Sequence, residues 1–190
     1  GSQGVFTGTT DDDYITLTSL YDQASGKEGN DTFVIINGSI KLLDLSSGDV
    51  IIVSSGAEVT TKPVSSFVAT DATSNLGSVN ITADPSGSTL DMSLSSAGGY
   101  NLIGGNSIDN FKGSSGKDTF TIVESGEGNT DIYDGFTGVD TLQLSAGSHV
   151  FASDANFKNI EIVLADIAGS SVNLSAQTEG FTITGKDGAD

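Results

Sequence analysis

Large apolar residues return along this chain every nine positions. Ile15, Ala24, Phe33, Leu42 and Ile51 are spaced nine apart. Leu102, Phe111 and Phe120 keep the interval. Tyr133, Leu142, Phe151 and Ile160 resume it after an insertion, and Val172 and Phe181 after another. Nine fits no single helical face. Between these positions, alternation as in TLDMSL (89–94), SVNLS (171–175) and FTITG (181–185) reads as short strands, with Gly, Asn, Asp and Ser marking the turns. A strand, a turn, a strand and a turn fit into 18 residues and form one flattened coil. Successive coils stack their strands in parallel, with the ninth-beat apolar residue pointing inward. The expected fold is therefore all-β, a parallel β-solenoid or β-roll built from half-coils of about nine residues.

A longer repeat overlies the short one. GSTLDMS (87–93) is echoed by GSSVNLS (169–175), and GYNLIGG (99–105) by GFTITGK (180–186). This predicts two divergent units, 1–100 and 101–190, continuous with each other. The chain closes on GKDGAD, the opening of a further nonapeptide, as expected of a segment of a longer protein.

Composition narrows the chemistry. The chain has no Cys, Trp or Arg and a single histidine, His149, which removes thiol, zinc-finger and iron–sulfur chemistry. His149 falls at a sixth place by phase and is expected in a loop or edge. With no second histidine and no thiol, a nucleophilic triad lacks its parts, and the expectation is a protein that is not an enzyme. Tyr14, Tyr21, Tyr100 and Tyr133 are either a sugar-binding platform or spaced core aromatics. The net charge of −18 excludes nucleic acid as a partner, and no apolar run reaches the length of a membrane span. Anionic polysaccharide would need a bridging cation.

The acids are lopsided, with 19 Asp against six Glu. Asp is the shorter side chain, suited to turns and to hard cations. Asp13, Asp22, Asp31 and Asp49 keep the nine-residue phase, with Ile40 filling the gap, and each precedes a core position by two. Asp109, Asp118, Asp131 and Asp140 do the same in the second half. The spacings Asp109–Asp131 and Asp118–Asp140 are 22, which predicts a coil lengthened by four residues near Ile122-Val123-Glu124-Ser125.

GKEGNDTFV (26–34), GGNSIDNFK (104–112) and GSSGKDTFT (113–121) resemble the G-G-x-G-x-D-x-U-x nonapeptide of RTX proteins, and GTTDDDYIT (8–16) and GFTGVDTLQ (135–143) are looser matches. The resemblance implies a parallel β-roll that binds Ca²⁺. Backbone carbonyls of the turns and the sixth-place aspartates would be the ligands. On this chain those are Asp13, Asp31, Asp49, Asp109, Asp118, Asp131 and Asp140, with Gly26, Gly29, Gly104, Gly113 and Gly116 in the turns. Asp11 and Asp12 are expected to be solvated turn acids. The rest of the chain resembles the calcium-free stretches of bacterial surface-layer proteins and large secreted adhesins. The expected role is architectural, on a bacterial cell surface. Expected partners are further copies or neighbouring segments of the same protein, with surface polysaccharide a further candidate. The alternatives are an adhesin stalk or spacer and a calcium-dependent carbohydrate-binding module.

Overall fold

The computed structural model describes residues 4–123, 130–165 and 169–185. It is a parallel β-solenoid. The largest sheet has ten strands: β1 (Gly4–Thr7), β3 (Tyr21–Ser25), β5 (Ser39–Leu42), β7 (Glu58–Thr61), β10 (Ser78–Thr82), β12 (Asn101–Ile103), β14 (Thr119–Thr121), β16 (Thr141–Gln143), β19 (Ile162–Ala165) and β21 (Thr182–Gly185). Neighbours in this order pair in parallel. Nine steps of roughly 4.8 Å give a sheet about 43 Å long.

The other walls are shorter. In the first half β2 (Tyr14–Leu17), β4 (Thr32–Ile35), β6 (Val50–Val53) and β9 (Ser74–Asn75) form a four-stranded sheet. From the middle onward β8 (Ser66–Val68), β11 (Thr89–Asp91), β13 (Asn110–Lys112), β15 (Ile132–Asp134) and β18 (Phe157–Lys158) form a five-stranded one. β17 (Gly147–Val150) and β20 (Ser170–Asn173) make a two-stranded sheet near the C-terminal end.

The coil therefore changes shape along the chain. It opens as the expected two-sided roll: Phe33 lies 18 residues after Ile15 and 18 before Ile51, and the three are in register. Past β6 most coils lengthen, although Leu102 and Phe120 keep the step of 18. Ile81 pairs with Leu102 and Phe120 with Leu142, steps of 21 and 22. Coil 58–75 carries three strands, β7, β8 and β9, each on a different sheet. Of the residues expected to lengthen the later coil, Ile122 is buried and donates its amide to Gln143 O, whereas Glu124 and Ser125 lie outside the described residues.

The ninth-beat residues line the core. Ile15, Ala24, Phe33, Leu42, Ile51, Leu102, Phe111, Phe120, Tyr133, Leu142, Phe151 and Ile160 are all buried, while Val172 and Phe181 are only partly covered. In the second half the column becomes aromatic. The Tyr133 ring sits edge-on to Phe111, Phe120 and Phe151 at 5.8, 5.9 and 6.1 Å between centroids. Such contacts add about 0.5–1.5 kcal/mol each beyond the area they bury.

Two tyrosines thereby leave the sugar-platform reading. Tyr100 and Tyr133 are core residues, Tyr21 packs edge-on against Phe6, and Tyr14 alone is well exposed. His149 lies on an edge strand, as expected, but its side chain is covered. It is fully buried on β17, and its Nε2–H donates to Ser145 O at 3.1 Å.

On the outside of the five-stranded sheet, Asp91, Lys112, Asp134 and Lys158 pair strand by strand, alternating in sign. Opposite charges facing each other across strands favour this register. The Lys158 Nζ to Asp134 Oδ2 distance is 3.6 Å, and Lys112 also lies 4.8 Å above the Phe136 ring.

Candidate functional site: the carboxylate ladders

Apart from Asp22, which lies within β3 and is only partly buried, the in-phase aspartates face inward at the corners of the coil, just before the strands. Asp31, Asp49, Asp109, Asp118, Asp131 and Asp140 are at most 2% exposed, and Asp13 is half-buried. Each sits one coil from the next, and the carboxylates and backbone amides interlock. The Asp13 amide donates to Asp31 Oδ1 and the Asp31 amide to Asp49 Oδ1, both at 2.9 Å. The Asp109 amide donates to Asp131 Oδ1 at 2.9 Å. On the ten-stranded side, the amides of Tyr100, Asp118 and Asp140 donate to Asp118, Asp140 and Glu161 at 2.7, 2.8 and 2.8 Å.

In Asp13, Asp49, Asp109 and Asp118 the second carboxylate oxygen closes the residue's own turn. Asp13 Oδ2 accepts the Thr9 amide at 2.6 Å, Asp109 Oδ2 the Gly105 amide at 3.0 Å and Asp118 Oδ2 the Ser114 amide at 2.6 Å. Asp49 Oδ2 accepts the Ser46 amide at 2.8 Å. In Asp49 and Asp118 one carboxylate thus bridges two coils, a role that suits a short acid on the solenoid period. Charge-assisted bonds of this kind exceed neutral ones, but burial opposes the charge.

Burial wins in the pKa values. It pushes Asp118 up to about 6 and Asp140 to about 7, against the lowering effect of the amides. The charges of Asp118, Glu161 and Asp134 raise Asp140 further. Asp31, Asp49 and Asp109 are raised for the same first reason, burial.

The register explains the gap at Ile40. The sixth-place column on the ten-stranded side runs Asp22, Ile40, Val59, Val79, Tyr100, Asp118, Asp140, Glu161. Its middle is apolar, an acidic run follows at Asp118, Asp140 and Glu161, and Phe181 ends the column. The ladder is thus a local choice within a column that also tolerates hydrocarbon. Glu161 belongs to it, although neither its residue type nor its spacing from Asp140 fits the nine-residue phase. Asp44 is a further capping acid outside the phase, accepting the Gly26 and Lys27 amides at 3.1 and 2.9 Å. Asp12, expected to be merely solvated, accepts the Asn30 amide of the next coil at 2.7 Å.

The glycines divide by cause. Gly29 and Gly138 have φ of +115° and +145°, angles that side chains resist. Gly113 does not. A Cβ there would stand 2.6 Å from Gly135 O and 2.7 Å from Asp118 Oδ2, so this glycine permits close approach of two coils. Gly26 is in contact with the Asp31 carboxylate and Gly116 with Gly98 O in the same manner, and Gly104 lies over Asp109 Oδ2 more loosely.

Two non-glycine residues occupy left-handed angles at the second place of their turns, Lys27 with φ 78° and Phe136 with φ 66°. A side chain there costs roughly 1–2 kcal/mol. Lys27→Gly is expected to stabilise the protein by about 0.5–1 kcal/mol, the relief being partly offset by unfolded-state entropy. Phe136→Gly is expected to be close to neutral, because it also removes the ring beneath Lys112. Urea melts of the two variants check this, and equal effects would contradict it.

Among the described residues no three acidic or histidine side chains converge as a metal-binding group. Any cation would depend on backbone carbonyls as well. Such carbonyls are present: Gly26 O stands beside Asp13 Oδ2 over Gly8, and Gly135 O beside Asp118 Oδ2 over Gly113. The donor set, carboxylate plus carbonyl, suits a hard cation such as Ca²⁺. No helix among the described residues is long and apolar enough to cross a membrane. Compared with known proteins, the chain matches no family model, no curated protein and no solved structure.

Proposed function

We propose that this chain is a structural, calcium-stabilised rod, not an enzyme, from a secreted bacterial cell-surface protein, where it builds a surface-layer lattice. The observation that carries the reading is the stacking of buried aspartates on the coil period, linked from coil to coil by amide–carboxylate hydrogen bonds. The acids most deeply placed are structural members of the fold. A second support is their shortage of cations: among the described residues the one ion pair is Lys158–Asp134, out on the five-stranded sheet. A stalk or spacer in a large adhesin uses the same architecture and is the alternative host.

Asp13, Asp31, Asp49, Asp109, Asp118, Asp131 and Asp140, with the carbonyls of the first-place residues, are the oxygens from which calcium ligands would be drawn. Bound calcium would neutralise stacked carboxylates that the fold otherwise buries at a cost. Metal affinity is then coupled to folding, favouring a loose chain at low calcium and a rigid one at the millimolar concentrations outside cells. Calcium titrated into chelator-treated protein, followed by far-ultraviolet circular dichroism with magnesium as control, tests this. The expected result is a gain of β signal or a rise in Tm specific to calcium. A spectrum and melting curve indifferent to calcium would remove the metal from the mechanism and leave a rod held by its core and amide ladders.

A further inference from the structure

The turns that carry these aspartates are of two kinds. In 8–13, 104–109 and 113–118 the second-place amide, of Thr9, Gly105 or Ser114, points at the turn's own aspartate. In 26–31 and 135–140 the second residue is left-handed, and its amide is turned elsewhere. The Lys27 amide goes to Asp44 at 2.9 Å and the Phe136 amide to Asp134 at 3.0 Å. Both of these turns also have a left-handed fourth-place glycine, Gly29 and Gly138.

The consequence is largest at Asp140. This residue is fully buried, its Oδ1 takes the Asp118 amide, and its Oδ2 has no partner. Oδ2 is aimed at the space over Gly135, 2.6 Å from where a Cβ would stand, and the Asn159 carbonyl converges on the same point from the next coil. The charges of Asp118, Glu161 and Asp134 act on Asp140, and the Lys158 ammonium is paired with Asp134. In the closed turns the corresponding oxygen already faces an N–H, whose positive end repels a cation. Asp109 also has a bare oxygen, Oδ1, but its Oδ2 is held by its own turn through the Gly105 amide.

We infer that the left-handed second residue selects which turns hold a hard divalent cation. Asp140 Oδ2 and Asn159 O form such a site, while the turns closing on Asp13, Asp109 and Asp118 are fastened by their own amides and hold none. This rests on the calcium reading above but differs from a roll loaded at every repeat. It also inverts the ranking by motif, since GSSGKD is the better sequence match and GFTGVD the looser.

Isothermal titration with calcium on the whole chain, with ¹⁵N amide shifts of the same samples, tests it. Calcium is expected to shift the amides of Gly135, Phe136 and Asn159 and to leave those of Thr9, Gly105 and Ser114 in place. Asp140→Asn is expected to lose one ion from the stoichiometry, and Asp109→Asn and Asp118→Asn none. Loss of an ion in all three variants, or uniform shifts across the five turns, would overturn the selection while keeping calcium. No binding at millimolar calcium would overturn the calcium reading and this site with it. The amide shifts need no variant, so an unfolded mutant does not spoil the test.

Discussion

Gly113→Ala is expected to lower the melting temperature by roughly 5–10 °C, while Gly180→Ala leaves it unchanged. The two substitutions add the same methyl group. At Gly180 it enters open space at an ordinary backbone angle. At Gly113 it stands 2.6 Å from the carbonyl oxygen of Gly135 and 2.7 Å from Asp118 Oδ2, and neither can retreat freely. The carbonyl belongs to the next coil, which is pinned by the ladder on both sides. The carboxylate is held by the Ser114 amide at 2.6 Å and the Tyr100 amide at 2.7 Å. Opening the coil spacing stretches these bonds together, a cost of about 2–3 kcal/mol for one inserted carbon. Thermal melts of both variants in chelator decide the matter. Equal behaviour would mean that the coils are not in this contact, and the ladder geometry would fall with it.

The nine-residue beat made the solenoid legible, because a parallel coil puts one inward apolar residue on each half-turn and little else in sequence does so. It also located the corners: Asp31, Asp49, Asp109, Asp118, Asp131 and Asp140 are buried where the phase puts them. What the beat hides is what each carboxylate touches. Its partners are backbone amides 3, 4, 18 or 22 residues away, and an amide leaves no mark in a sequence. The change from two walls to three is also silent, since it follows from loops that lengthen by a few residues without breaking the inward column. Glu161 and Asp44 escaped because a longer side chain, or a position past the strand rather than before it, reaches the same amides from outside the phase. The two kinds of turn were equally hidden. Lys27 and Phe136 are poor residues for left-handed angles, so propensity argued against the conformation that the fold imposes.

Metal-free protein is expected to grow more stable as the pH falls from about 7.5 to about 4.5. Asp118 and Asp140 have folded-state pKa values of about 6 and about 7, above the 3.8 of an unperturbed aspartate, because burial disfavours their charged forms. Between about 4 and 7 the folded chain therefore binds more protons than the unfolded one. Stability must then fall as pH rises through this window and be recovered on acidification. Asp31, Asp49 and Asp109 are raised in the same direction and add to the slope. At about 1.36 kcal/mol per pKa unit, even half of the two larger shifts amounts to about 4 kcal/mol, or roughly 8–16 °C in Tm. Relief of the −18 net charge acts in the same sense. Asp140→Asn, which fixes the neutral form, is expected to flatten much of the dependence. Saturating calcium is expected to remove the share contributed by Asp140, because metal and proton compete for its Oδ2. A melting temperature in chelator that stays level or drops between pH 7.5 and 4.5 would show that the amides satisfy these carboxylates in their charged form. The fold would then need neither proton nor metal to bury them.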